Sequence, residues 1–207
     1  MRVVAISDTH GYHDGLVIPP CDLLIHAGDA SWMGRVDELV PFIRWLGEQR
    51  AETKVFVPGN HDWGFDNIDR DLLLEECKES GVTCLIHEDV MVRGVRIFGT
   101  PYQPNFGVWA FNRDDAWREG ANTIIPECDI LVSHAPPQGI LDEVPGKGSV
   151  GDIHLRTTAI DVGAKYHIFG HIHEGYGVLA QNGVTYVNAS ICTAGYNPKN
   201  TPILLHI

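Results

Sequence analysis

Residues 55–64 read Val55-Phe56-Val57-Pro58-Gly59-Asn60-His61-Asp62-Trp63-Gly64. A short β-like apolar run breaks at Pro58-Gly59 and at once presents an amide, an imidazole and a carboxylate. A tight turn needs a glycine and one Asn or Asp at most. It has no use for an imidazole between an amide and a carboxylate. Two readings follow: a polar turn with an incidental histidine, or the rim of a reaction site. This stretch does not separate them, but the rest of the chain does.

Four further β-like runs end the same way. Val3–Ile6 is followed by Ser7-Asp8-Thr9-His10, and Leu23–His26 by Ala27-Gly28-Asp29. Ile130–Val132 runs into Ser133-His134, and Tyr166–Phe169 into Gly170-His171-Ile172-His173. In open α/β sheets, ligands bind at the carboxyl ends of the strands. Taken singly, Asp8 reads as a cap, Gly28-Asp29 as a turn pair and His134 as a core histidine. His171 and His173 flank Ile172, so an extended backbone turns both to one side. Two such imidazoles suit a cation. Donors of mixed nitrogen and oxygen type favour Mn, Fe or Zn. Asp8, His10, Asp29, Asn60, His134, His171 and His173 are too many for one tetrahedral ion and fit two ions sharing a carboxylate.

Apolar runs at Val82–Ile86, Val90–Val92, Val95–Phe98, Val178–Ala180, Val184–Val187 and Ile203–Ile207 complete the strand pattern. Val36, Leu39, Val40, Ile43 and Leu46 form a helical stripe, in which Pro41 must kink the helix or lie in its first turn. Asp69–Glu79 is a second helix that stops before Gly81. Asn112–Ala121 and Ile153–Asp161 carry less complete helical patterns. Strand and helix alternate in the first half and strands crowd the last third, which predicts stacked sheets flanked by helices. Without a repeat or linker, residues 1–207 read as a single domain.

The 207 residues carry 27 acidic and 15 basic side chains, a net charge of -12. Long nucleic acid is bound by neutralising phosphates with Lys and Arg, so it is excluded as the main partner. No run approaches the roughly 18 apolar residues of a membrane span, and the first residues lack a signal-peptide core. The five cysteines contain no C-x-x-C. They read as free thiols in a reducing compartment, which makes the cytoplasm the default location.

The ordered motifs Asp8-Thr9-His10, Gly28-Asp29, Gly59-Asn60-His61-Asp62, Ser133-His134 and Gly170-His171-Ile172-His173 resemble those of the calcineurin-like metallophosphoesterase superfamily along the whole chain. Leu23-Leu24-Ile25-His26-Ala27-Gly28-Asp29 and Phe169-Gly170-His171-Ile172-His173-Glu174-Gly175 look most like its metallophosphoesterase-domain-containing subgroup. The resemblance implies an α/β fold, a four-layer α/β/β/α sandwich. It implies two divalent or trivalent ions: Asp8, His10 and His173 on one, Asn60, His134 and His171 on the other, Asp29 bridging. The reaction it implies is hydrolysis of small phosphodiesters, cyclic and other nucleotides among them, by a hydroxide between the ions. His61 would stand beside the metals and protonate the leaving group. A phosphomonoesterase is the runner-up, and a non-catalytic metal-binding scaffold the rival from another class. The oligomeric state stays open, a homodimer included.

Two departures from the superfamily pattern matter. Relatives with Gly-Asp-x-x-Asp use the second Asp to orient the catalytic histidine; here Trp32 occupies that place, and Asp62 is the candidate substitute. The arginines of the protein phosphatases are missing, with Trp32 and Met33 at one position and Pro58 at the other, which argues against a protein phosphatase. Trp63, Trp109 and Phe111, with Tyr102 and Tyr196, lie in or near loops and are candidates to stack on substrate, although loop aromatics also cover core edges. His13, His26, His87, His154, His167 and His206 match no motif position and read as structural or surface residues.

Overall fold

Strand Arg2–Ile6 turns Val3 and Ala5 to one side and Val4 and Ile6 to the other, and all four are fully buried. A strand hidden on both faces needs a cover on each. A computed structural model, which describes residues 1–207, supplies both. The first sheet has five strands, in the order Ile203–His206, Arg2–Ile6, Cys21–His26, Ala51–Phe56, Val82–Cys84. All run parallel except Ile203–His206. The second has six, in the order Gly177–Gln181, Val184–Asn188, Tyr166–Phe169, Ile130–Ser133, Val95–Thr100, Glu88–Val92. Its inner strands are parallel, and an antiparallel hairpin strand closes each edge.

The sheets meet face to face. Val3, Ala5, Leu23, Ile25 and Val55 pack against Ile97, Ile130, Val132, Ile168 and Val187. Helices Val36–Glu48 and Arg70–Glu79 cover the other face of the first sheet, setting Leu39, Phe42, Ile43 and Leu73 on Val4, Ile6, Leu24 and Phe56. Outside the second sheet the cover is thinner. The one-turn helix Thr158–Asp161 and the segment after helix Asp115–Thr123 bring Ala159, Ile125 and Cys128 onto Phe98, Leu131 and Phe169. The result is the α/β/β/α sandwich. Each fully buried aliphatic or aromatic side chain contributes roughly 1.5–3 kcal/mol, so these cores, not the polar loops, hold the layers together.

Register places the loops. Ile6 lies opposite His26 and His26 opposite Phe56, while Thr100 lies opposite Ser133 and Val132 opposite Ile168. The strands therefore end level, and the loops at 7–10, 27–31, 57–62, 133–136 and 170–173 emerge along one rim. There the sheets touch: the Ser7 N–H donates to the Ala189 carbonyl at 2.9 Å, and the Ile191 N–H to the Ser7 carbonyl at 2.9 Å.

The predicted strands form, with shifted ends. Helix assignment fares less well near residue 112. Asn112–Arg113 is a short strand beside Gln103–Pro104, and the helix waits until Asp115 because the Asp114 carboxylate accepts the Trp117 N–H at 2.8 Å as its N-cap. Only Thr158–Asp161 of the predicted Ile153–Asp161 is helical; the Asp152 carboxylate accepts the His154 N–H at 2.9 Å and holds a turn in its place. Pro41 sits in the second turn of its helix, on the exposed side, where its missing N–H leaves a carbonyl without a helical partner. No helix is long and apolar enough to cross a membrane.

Candidate metal centre

The loops on this rim leave their strands abruptly. Asp8, His10, Asp29 and His171 have φ of 51°, 42°, 57° and 67°, in the left-handed region that residues with a Cβ seldom occupy. Such strain gathers where a site over-determines the backbone. Two glycines permit the crowding. A Cβ on Gly28, whose φ is +99°, would strike the His134 ring, and one on Gly170 would strike the Ser7 and Asp8 side chains.

Four of the five imidazoles are held by one device, His171 being the exception. The Nδ1–H of His10 donates to the Ser31 carbonyl at 3.2 Å, that of His134 to Ala27 at 2.9 Å, that of His173 to Thr193 at 3.0 Å and that of His61 to Trp32 at 2.7 Å. A carbonyl only accepts, so Nδ1 carries the proton and Nε2 turns a lone pair inward. Backbone bonds of this kind fix the tautomer of metal-binding histidines. The inward atoms then crowd one another. His10 Nε2 lies 3.3 Å from His173 Nε2, and His134 Nε2 lies 3.0 Å from Asn60 Oδ1 and 3.3 Å from Asp29 Oδ1. His173 Nε2 is 3.2 Å from Asp8 Oδ1. Acceptors facing acceptors, shielded from water, require positive charge among them.

The donor set fits metal ions. Asp8, His10 and His173 form one group, His10, Asp29 and His61 a second, and Asp29, His134 and His171 a third, with ligand atoms inside each group within 4.8 Å of one another. Asn60 joins the last through its contact with His134. Asp29 belongs to two of these groups, the place a shared carboxylate must occupy. In the absence of a cation, protons do this work. Burial pulls the His134 imidazole down, but the charge and hydrogen bond of Asp29 outweigh it and push it up to about 9. His173 is likewise pushed up to about 9, burial opposing and Asp8 prevailing. Burial keeps His10 below its ordinary range.

The carboxylates are pre-set. Asp8 Oδ2 accepts from the Ser7 and Ser190 hydroxyls and the His171 N–H, which leaves Oδ1 facing His173. Asp29 Oδ1 accepts the His61 N–H at 2.8 Å, and its Oδ2 lies 3.9 Å from His10 Nε2 and 4.0 Å from His61 Nε2.

Asp62 does not orient His61. Its buried carboxylate accepts from the N–H groups of Gly59, Ala30 and Ser31 and from the Ser31 hydroxyl, stitching the 29–31 loop to the 59–62 loop. Burial and the charge of Asp29 push it up to about 6. The His61 ring is held by the Trp32 backbone carbonyl, at the position where relatives carry the orienting Asp.

The aromatic expectations divide. The Trp109 ring lies 4.3 Å from that of His61, centroid to centroid. Trp63 packs half-buried against the helix-covered core, and Phe111, 1% exposed, is part of that core and offers no face to substrate. Three further rings reach the site, Tyr196 among the sequence candidates and two outside them. Tyr196 stands 5.0 Å from both His10 and His173, Trp32 5.2 Å from His10 and Phe106 5.1 Å from His171. Trp32 directly follows the Gly28-Asp29 motif loop, a signal its sequence position carried; Phe106 had none.

The family description Calcineurin-like phosphoesterase matches residues 1–175. The chain belongs to this family. Metallophosphoesterase domain-containing protein 1 of Homo sapiens is 41% identical over 230 residues, covering 100% of this chain and 71% of that protein. Among solved structures, phosphopantetheinyl hydrolase (PptH) of Mycobacterium tuberculosis superposes with a TM-score of 0.61 at 21% identity, over 91% of this chain and 88% of that one. TT1561 of Thermus thermophilus does so at 0.64 and 13% identity, over 90% and 88%; both likenesses speak for the fold alone. Calcineurin-like phosphoesterases depend on a dinuclear metal centre, and this member carries His/Asp groups able to hold metal. The family points to hydrolysis of phosphoric esters.

Proposed function

We propose that the protein is a phosphodiesterase for small phosphodiesters, nucleotides among the candidates, with a pair of metal ions held by Asp8, His10 and His173, by Asn60, His134 and His171, and by Asp29 between them. The observation that carries the reading is the array of Nε2 lone pairs, each locked by a backbone carbonyl and aimed at Asp8, Asp29 or one another. Two ions, Mn²⁺ first and Fe or Zn next, would polarise a phosphoryl oxygen and lower the pKa of water.

The remaining chemistry falls to the chain. His61 is tethered through Nδ1 to Trp32 and held through its N–H by Asp29, so Nε2 points into the centre, 4.0 Å from Asp29 Oδ2, and it is assigned the acid's role rather than a ligand's. Protonated at Nε2, it donates to the oxygen of the departing alcohol, a task worth roughly 10²–10⁴-fold. The rings of Trp32, Trp109, Tyr196 and Phe106 frame the imidazoles. A diester carries one charge and an organic group on either side, and an aromatic frame suits such groups.

Metal-stripped protein supplied with Mn²⁺ is expected to turn over bis-p-nitrophenyl phosphate with higher kcat/KM than p-nitrophenyl phosphate. The reverse order makes the protein a phosphomonoesterase. No turnover of either with any metal, together with fewer than two bound ions, would sink the enzyme reading.

A further inference from the structure

Beside His171 the surface opens into a cavity of about 320 Å³ lined by Pro104, Phe106, Ala135, Val144, Val150 and Ile172. Its size is at the low end for a small-molecule site. The lining is mostly apolar, with Asn105 and the exposed Lys147 at its edge and His171 as the link to the metal-binding groups. The Phe106 ring stands 5.1 Å from His171 and 6.4 Å from Trp109, so the cavity wall continues into the ring that packs on His61. Nothing in the metal centre needs this space. Asn105, Lys147 and His171 share the lining, but most of its surface is apolar, which favours a hydrocarbon group over a nucleobase that needs several donors and acceptors.

We infer that this cavity seats an aliphatic substituent of the substrate phosphodiester, and that this substituent is the one that stays on phosphorus. The inference rests on the diesterase reading above and narrows its substrate class to alkyl or acyl-chain phosphodiesters. Its geometric basis is the two oxygens of Asp29. His10 and His61 face Oδ2, at 3.9 and 4.0 Å, whereas His134, with the His171 ring 5.0 Å from its own, faces Oδ1 at 3.3 Å. A diester set between these two sides with its leaving oxygen at His61 would turn its other ester group toward His171 and the cavity. Water adds its oxygen to phosphorus and the P–O bond on the His61 side breaks. The departing oxygen takes the His61 proton, and the protons of water restore it and leave with solvent. The products are the alcohol from the His61 side and a phosphomonoester that keeps the chain.

The test holds the leaving group constant. Methyl p-nitrophenyl phosphate and hexyl p-nitrophenyl phosphate both release p-nitrophenol, and only the retained group differs. Burial of the added methylenes is expected to raise kcat/KM for the hexyl ester on the order of 10²-fold, chiefly through KM. Val150→Trp, or Val144→Trp should the first variant fold poorly, fills the cavity and should bring the hexyl-to-methyl ratio to within about threefold. Calorimetric binding of hexyl phosphate against methyl phosphate to the Mn²⁺-loaded protein reads the cavity without turnover, with the same preference and the same loss in the variants expected. If neither ester is turned over but hexyl phosphate keeps its variant-sensitive advantage, the cavity stands and the diesterase reading falls. A calorimetric ratio near one in the unaltered protein overturns the inference, as does a preference that survives both substitutions.

Discussion

The two sheets bring different chemistry to the rim they share. The first sheet delivers Asp8, His10, Asp29, Asn60 and His61, hence every carboxylate of the centre and its one amide. The second delivers His134, His171 and His173, imidazoles alone. The first is also the better clad, under helices of 13 and 10 residues, whereas a four-residue helix and loop residues cover the second. In the assignment proposed above, each ion draws ligands from both sheets, with the carboxylates all on one side. A cation bound here would tie the sheets at the end where the Ser7–Ser190 backbone bridge already joins them.

The sharpest way to break this contrast is at its shared carboxylate. Asp29→Ala should remove the group that both ions need. Loss of even an outer hydrogen-bond partner costs about 10–100-fold in metal affinity, so losing Asp29 should exceed that and reduce turnover to the level of chelated protein, as elemental analysis and kinetics together would report. His61→Ala tests the other half of the claim. With Nε2 serving as the acid rather than as a ligand, the variant should lose roughly 10²–10⁴-fold in kcat while its metal content stays near that of the unaltered protein. Depleted metal would make His61 a ligand and redraw the division.

Chelation addresses the coupling between sheets. At ion concentrations near 100 times Kd, removal should cost about 2.7 kcal/mol for each ion, equivalent to a Tm fall of about 5–11 °C per ion for a chain of this size. Hydrogen exchange should quicken first at 133–136 and 170–174, before the strands between the sheets. A uniform increase would mean that the ions stabilise the fold without joining its halves.

The smallest effect concerns a buried histidine outside the centre. His167 donates to no carboxylate; burial alone pulls it down to about 3, and Ser133 lies 2.8 Å from its Nε2. Its folded pKa lies below the unfolded value near 6.5. The unfolded chain therefore gains a proton first as pH falls, and stability present above about pH 6.5 drains away on acidification toward 3. Between pH 7 and pH 5 this amounts to about 2 kcal/mol. His167→Gln should weaken the protein at pH 7 yet shrink the pH 5-to-7 difference in denaturant midpoint. An unchanged difference would assign the acid sensitivity to other groups.

Much of this was legible one residue at a time. Short continuous apolar runs marked the strands, because a strand buried on both faces has few alternatives to Val, Ile and Leu, and residues such as Asp8 and His134 were conspicuous at the strand exits. The helix at Asp115 was placed too early because capping by Asp114 is a contact of three residues, weaker in the pattern than the apolar stripe around it.

What the sequence alone determined, then, is the strands, their polar exits and a set of donors able to hold metal: these follow from residue type and local spacing. Tertiary structure decided which groups do which job. It turned Asp62 into a clamp between loops, gave His61 to the Trp32 carbonyl, sank Phe111 into the core and carried Tyr196 and Phe106 to the imidazoles. Each of these depends on how loops far apart in the chain cross one another. A backbone carbonyl looks the same in every residue, so no reading of side chains could have named Trp32 as the partner of His61.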